Sequence, residues 1–227
     1  KELGNPVENI RLRQHRSDEK AHYAEDAWDL EMRSKIYGWT EVCGIHDRSD
    51  YDLGRHYKYS KEKKLQVPGP GKGEKQIPHI LEIAFGLSRL FFFTLEQAFV
   101  FEEERNLLDL PINITPVPFA VFPLQKKPRE MTKIARTIYQ DLIENDIGTI
   151  MQVSGSIGKR YRRTEEVGVR FAFTVDHRTL EDDTLTIRNI DDMSQKRIHR
   201  ENVSGLALKL RHKRISYADI MDLDAES

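Results

Sequence analysis

Glu82, Gly86 and Arg89 stand close together in the most apolar stretch of the chain, Ile77 to Phe101 (IPHILEIAFGLSRLFFFTLEQAFVF). A charge among apolar side chains costs several kcal/mol unless it has a partner, and here the expected partner is a ligand. The stretch predicts a buried strand, a tight turn at Gly86 and an apolar helix, with Phe91 to Phe93 as a core stripe. A helix start offers free N–H groups and the positive end of its dipole, so Arg89 in the first turn suits an anion such as phosphate. A second charged set, Glu41 and Arg48, precedes it in YGWTEVCGIHDRSDYDLGRH (37–56). There Trp39, Glu41 and Cys43 alternate onto one face of a predicted strand, with Thr40 and Val42 on the other. A third set is Lys159, Arg160, Arg162 and Arg163 around Tyr161, on a short predicted helix at 157–167. Those cations suit RNA phosphates, with the ring for stacking; the alternative is a helix paired with Glu165, Glu166 and nearby acids.

The elements that must position these residues occupy 227 positions with 38% hydrophobic content, enough for one large or two ordinary domains. With 36 basic and 37 acidic residues the net charge is −1, so nucleic-acid contact must come from local patches. The single cysteine, Cys43, excludes an internal disulfide and a cysteine-rich zinc site. No histidines lie at metal-ligand spacing with a cysteine partner, so no metal-binding residue is expected. Asp50-Tyr51-Asp52 reads as a structural turn rather than a magnesium site. No run of about 18 apolar residues occurs, so no membrane span or membrane partner is expected. The opening Lys1-Glu2-Leu3, without an initiating methionine, predicts a piece of a longer polypeptide.

In chain order, a strand is expected at 10–14. A helix follows to about Met32, capped by Ser17 and patterned by Ala21, Ala24 and Trp28 with Tyr23, Ala27 and Leu30. Residues 58–76, lysine-rich with Pro68-Gly69-Pro70-Gly71, read as a flexible loop and the remnant of an insertion. Proline-punctuated 110–118 marks a domain boundary, giving units 1–110 and 117–227. Beyond it come strands at 119–124, 149–153, 171–175, 184–189 and 196–200. Helices are expected at 130–145, with Met131, Ile134, Ala135, Ile138, Leu142 and Ile143 on one stripe, and at 201–212. This alternation predicts an α/β three-layer domain with a mixed sheet.

Ile77–Phe101 resembles motif 3 of class II aminoacyl-tRNA synthetases. LRQHRSDEKAHYAEDAWDLE (12–31) and GWTEVCGIHDRSDYDLGRH (38–56) resemble the catalytic domain of glycyl-tRNA synthetases. SGSIGKRYRRTEEVGVRFAFTVD (154–176) and TLTIRNIDDMSQKRI (184–198) resemble the anticodon-binding domain of the same dimeric type. The resemblance runs over nearly the whole chain. It implies an α+β antiparallel class II catalytic sheet, partial here, followed by an α/β anticodon-binding domain. It implies a cytoplasmic ligase that activates glycine with ATP and Mg²⁺ and transfers it to the glycine tRNA. Arg89, with Gly86 and Glu82, would serve ATP; Glu41, Arg48, Glu82 and Ala84 would form the glycine pocket. Lys159, Arg160, Arg162 and Arg163 would face tRNA. Glutamate can take the ammonium of glycine and arginine its carboxylate.

Two departures stand out. The family's Glu-Pro-Ser is Glu82-Ile83-Ala84 here, removing a hydroxyl that faces glycine. Motifs 1 and 2 fall before Lys1 in the family's order, so this chain is expected to be inactive alone, and the homodimer to form through that preceding region. A rival from another class is a non-catalytic relative acting as a nucleic-acid-binding accessory subunit, as in mitochondrial DNA polymerase. Retained Glu41, Arg48, Glu82 and Arg89 argue for the enzyme, and Ala84 for the rival. A free-standing anticodon module does not account for residues 1–109.

Overall fold

Arg11 and Arg13 alternate along the first strand, and Asp29 and Glu31 alternate with the same period along the second. In the computed structural model, which describes residues 2–103 and 105–222, these four are cross-strand partners. Strand β1 (Ile10–Gln14) pairs antiparallel with β2 (Asp26–Ser34), setting Arg11 opposite Glu31 and Arg13 opposite Asp29. Opposite charges facing across a ladder stabilise the pairing by a few tenths of a kcal/mol each. The helix expected up to Met32 is therefore corrected to turns followed by a strand. Its apparent helical spacing came from side chains on both faces of β2.

The first unit, residues 5–96, is built on a four-stranded antiparallel sheet in the order β1-β2-β3-β6. Here β3 is Gly38–Asp47 and β6 is Leu81–Phe85. Between them lie helix α1 (Tyr51–Ser60) and a small hairpin of β4 (Val67–Pro68) and β5 (Lys75–Gln76). The stretch 58–76 is thus partly ordered into a helix end, a 3-10 turn at Lys63–Leu65 and a hairpin, not one continuous loop. Helix α2 (Leu87–Ala98) follows β6 and packs Phe93 and Leu90 against Met32 and Val42. Only Phe93 of the three consecutive phenylalanines is buried. Phe91 stays 64% exposed, because a helix turns successive side chains by about 100°. Strand β6, expected to be buried, is a sheet edge with Leu81, Ile83 and Phe85 more than half exposed.

The second unit comprises residues 2–4 and the chain from Gln97. It opens with a hairpin of β7 (Phe99–Phe101) and β8 (Asn106–Leu108), so the proline segment lies inside this unit, not at its edge. A five-stranded mixed sheet runs in the order β10-β9-β11-β12-β13. The strands are β9 (Phe119–Pro123), β10 (Thr149–Met151), β11 (Phe171–Val175), β12 (Thr184–Asn189) and β13 (Gln195–His199). The pairs β9–β10 and β9–β11 are parallel, and the remaining pairs antiparallel. Every residue of β9 and β11 is buried, as expected of strands covered on both faces.

Period-two alternation divides the layers. Phe119 and Val121 face helices α3 (Arg129–Glu144) and α6 (Val203–Arg211), while Ala120 and Phe122 face α4 (Ile157–Glu165). Helix α3 buries Met131, Ala135, Ile138 and Leu142, whereas Ile143, expected on that stripe, is 43% exposed. Two short helices, α5 (Thr179–Asp182) and α7 (Tyr217–Met221), complete the unit; neither was expected from the sequence.

Candidate functional site

The first unit's sheet has one charged face and one apolar face, and a single extra residue in β3 decides which side chains share the charged one. Leu30 pairs with Cys43 and Glu31 with Glu41, leaving Val42 as a β-bulge. Directly opposed residues point to the same face, so Glu41 sides with Glu31 while Cys43 sides with Leu30. The expectation that Glu41 shares a face with Cys43 is corrected on this ground. Val42 and Cys43 are both buried, and burial pushes the Cys43 thiol up. Gly86 donates its N–H to the carbonyl of Val42 at 2.9 Å, tying the turn before α2 to the bulge.

Gly44 lies opposite Ala84, and His46 opposite Glu82. Glu41, Gly44, His46, Glu82 and Ala84 therefore line one patch. A Cβ at Gly44 would stand 3.2 Å from the His46 Nε2 and 3.7 Å from a Glu41 carboxylate oxygen. Glycine and alanine facing each other leave a small hollow between an imidazole and two carboxylates. The residue reading by itself missed Gly44, and only the bulge aims Glu41 toward it.

Arg48 and Glu82, far apart in sequence, form an ion pair at 2.7 Å. Asp52, in the first turn of α1, grips the same guanidinium through both oxygens, at 2.6 and 2.9 Å. The Tyr23 ring lies 4.0 Å beneath it. Asp52 and then Glu82 hold Arg48 above its usual range, and Arg48 holds the Asp52 carboxyl below its own. Three of the five N–H donors are used, which leaves one on each terminal nitrogen: a fork that fits a carboxylate. Asp52 was read as part of a turn, and its role as clamp was missed. A carboxylate four residues after an arginine at a helix start was the available signal.

Arg89 reaches back from α2 to Glu41, 3.2 Å from its carboxylate and 3.0 Å from its backbone carbonyl. It is about half exposed, so the guanidinium can exchange Glu41 for an anion. The patch gathers Glu41, Asp52 and Glu82 against Arg48 and Arg89, a slight acidic excess that favours an ammonium group. Among the described residues no three His, Cys, Asp or Glu side chains cluster as a metal site.

In the second unit, α4 separates its four cations. Arg160 is 2% exposed and donates to the carbonyls of Pro123 (2.6 Å), Leu124 (2.9 Å) and Gln152 (3.2 Å). It is corrected from an RNA-facing residue to a structural one. Arg163 folds back onto the Ser154 carbonyl at 2.7 Å, while Lys159 and Arg162 remain exposed. Of the acids expected to pair with these cations, Glu165 turns instead to Arg188, against which it is buried at 2.7 Å. Arg188 stacks over Tyr161 at 4.2 Å, and an open cleft of about 410 Å³ includes Tyr161, Arg162, Glu165, Arg188 and Arg105. Arg105 and Arg188 were not singled out from sequence, because their pairing with Glu165 crosses long separations.

Residues 119–210 match the family described as "Anticodon binding domain". The chain is 32% identical to the glycine–tRNA ligase of Methanothermobacter thermautotrophicus, over 92% of this chain and 50% of that protein. It is 41% identical to the glycine–tRNA ligase of Borreliella burgdorferi strain ZS7, over 84% of this chain and 44% of that protein. It is 36% identical to that of Archaeoglobus fulgidus, over 87% and 47%. The alignment with the Methanothermobacter protein covers 282 residues, more than this chain contains, so that relative carries insertions absent here. The chain spans about half the length of the curated relatives it matches. Over that span it is similar to glycine–tRNA ligases, with the match to an anticodon-binding domain at 119–210.

Proposed function

We propose that the protein containing this chain is a glycine–tRNA ligase that activates glycine with ATP and transfers it to the glycine tRNA. The observation that carries this reading is the charged patch itself. Glu82 pairs with Arg48 and Glu41 with Arg89, residues remote in sequence whose carboxylates share one sheet face, as an enzyme pocket requires and a purely binding subunit does not. In the reaction a glycine carboxylate oxygen attacks the α-phosphate and pyrophosphate leaves. Glu41 and Glu82 would hold the ammonium, the free fork of Arg48 the carboxylate, and Arg89 with the N–H groups after Gly86 the phosphates. Magnesium, which ordinarily rides on nucleotide phosphates with one or two carboxylates, would add charge neutralisation. No residue of this chain is assigned to it. A homodimer, a cytoplasmic location and glycine-tRNA recognition by the second unit, with Lys159, Arg162 and Arg163 facing the RNA, belong to the same proposal. No helix among the described residues is long and apolar enough to cross a membrane.

The direct test is glycine-dependent ATP–pyrophosphate exchange on the full-length protein, with alanine and serine alongside. Exchange with glycine is the expected result; none with any amino acid would move the reading to an accessory subunit.

Two substitutions probe the hollow. Gly44→Ala places a methyl group between Glu41 and His46, and is expected to raise the glycine KM about tenfold or more, as one misplaced methylene does in a tight pocket. Ala84→Ser restores a hydroxyl opposite Gly44 and is expected to lower the glycine KM by up to about tenfold, the worth of one hydrogen bond of about 0.5–1.5 kcal/mol. An unchanged KM in Ala84→Ser would remove the idea that the missing hydroxyl weakens glycine binding.

A further inference from the structure

Most arginines of the second unit are engaged. Arg105, Arg170, Arg178, Arg188, Arg197 and Arg200 pair with carboxylates, and Arg160, Arg163 and Arg211 donate to carbonyls. The exceptions among the described residues are Arg129, Arg136, Arg162 and Arg214, and the first two stand in a run of five cations. Lys126, Lys127, Arg129, Lys133 and Arg136 are all exposed, and none makes a side-chain ion pair or hydrogen bond with a described residue. Arg129, Lys133 and Arg136 follow one another at helical i, i+4, i+7 spacing along α3 and line, with Lys126, Thr132 and Val153, a concavity of about 440 Å³. Glu130, their acidic neighbour in sequence, lines an adjoining hollow with Asp182 and Asp183, which Lys133 also borders without forming an ion pair with a described residue.

Like charges at this spacing destabilise a helix by a few tenths of a kcal/mol per pair, and cations near a helix N-terminus oppose its dipole. A surface that bears this cost without internal neutralisation is complementary to an external polyanion. Between Phe119 and Leu142 no large apolar side chain is exposed, and the one on α3 that is, Ile143, stands two turns beyond Arg136. A membrane-binding helix needs such an anchor, so the surface fits a phosphate backbone better than a bilayer.

We propose that α3 and the segment before it are a second tRNA contact, in which these cations hold backbone phosphates of the RNA whose anticodon the domain reads. The inference rests on the reading of this protein as a tRNA ligase. It differs from the residues on α4 in element and in chemistry: α3 supplies charge, while its one ring, Tyr139, packs against the core. About 10 Å of helix separates Arg129 from Arg136, room for two or three successive phosphates of one strand.

The test is tRNA binding by the full-length protein between about 50 and 200 mM salt, the range over which phosphate contacts show their salt dependence. Glycine tRNA and a tRNA of another specificity are compared. The variant Lys126→Ala/Arg129→Ala/Lys133→Ala/Arg136→Ala is expected to bind both RNAs about tenfold or more weakly and to lower the slope of log K against log salt by about 2–3, near 0.7–0.9 per lost phosphate. The preference for glycine tRNA should survive. The charge-conserving variant Lys133→Arg/Arg136→Lys should bind as the parent does, which separates a charge role from a fold defect. Unchanged affinity and slope in the quadruple variant would overturn the proposal, as would intact tRNA binding with lost binding to phosphatidylserine vesicles. If the parent protein itself shows no preference for glycine tRNA, it is the ligase reading that fails.

Discussion

Replacing Arg89 by alanine in the full-length protein is expected to lower glycine-dependent ATP–pyrophosphate exchange about 10²–10³-fold, with most of the loss in kcat. Arg89 stands in the first turn of α2, where its charge and the free N–H groups act on the same anion. Charge stabilisation by a group already in place is worth about 3–4 kcal/mol when its donor is removed. The group is held in place by Glu41, through both its carboxylate and its backbone carbonyl, and Glu41 is aimed by the bulge at Val42. A second measurement distinguishes this from a structural role. Arg89→Lys keeps the charge but loses the fork, and should recover part of kcat while leaving the unfolding midpoint unmoved. If Arg89→Ala changed only the unfolding midpoint, with kcat intact, the phosphate assignment would be wrong.

Arg160→Ala is expected to destabilise the second unit by about 3–5 kcal/mol, read as a lowered denaturant midpoint in its unfolding transition. The Arg160 guanidinium sits behind the carboxyl ends of β9 and β10, where the carbonyls of Pro123, Leu124 and Gln152 converge on it, with Phe122 5.5 Å away. No carboxylate is within ion-pair reach among the described residues, so carbonyl dipoles alone offset the buried charge. Burial accordingly lowers its pKa. Truncation strands up to three carbonyls at about 1–3 kcal/mol each and opens a cavity, with some relief from no longer burying a charge. Arg160→Met, which refills the volume but not the bonds, should cost less. A contact residue for RNA would behave in the opposite way, losing tRNA affinity with the unfolding transition unmoved.

The second unit was readable in advance because its signals are local. Strand β9 is an unbroken apolar run and β11 is apolar but for Thr174, and α3 carries its core residues three and four apart, so burial follows from the pattern alone. Strand β2 was misread for a physical reason. Asp26–Ser34 buries Ala27, Asp29 and Glu31 on the charged face and Met32 on the other, and two-sided burial imitates helical spacing when charged residues are discounted. Its true signature was the matched alternation of Arg11 and Arg13 with Asp29 and Glu31, visible only once the two strands are imagined side by side.

The same distinction separates what the sequence by itself determined from what the tertiary structure decided. Residue types and their order carried the likeness to glycine–tRNA ligases, picked out the charged residues and gave the elements whose hydrophobic period is unambiguous. Folding decided which charges meet. The bulge at Val42 turns Glu41 away from Cys43 and toward Gly44; the register of β3 with β6 sets His46 opposite Glu82; the start of α1 sends Asp52 onto Arg48. Arg160 and Arg162, two positions apart on one helix, end in opposite environments because α4 presents one to the sheet and the other to solvent. A charge's role depends on what lies within about 4 Å of it, and such neighbours are set by strand register and helix phase across long separations, quantities that no local pattern encodes.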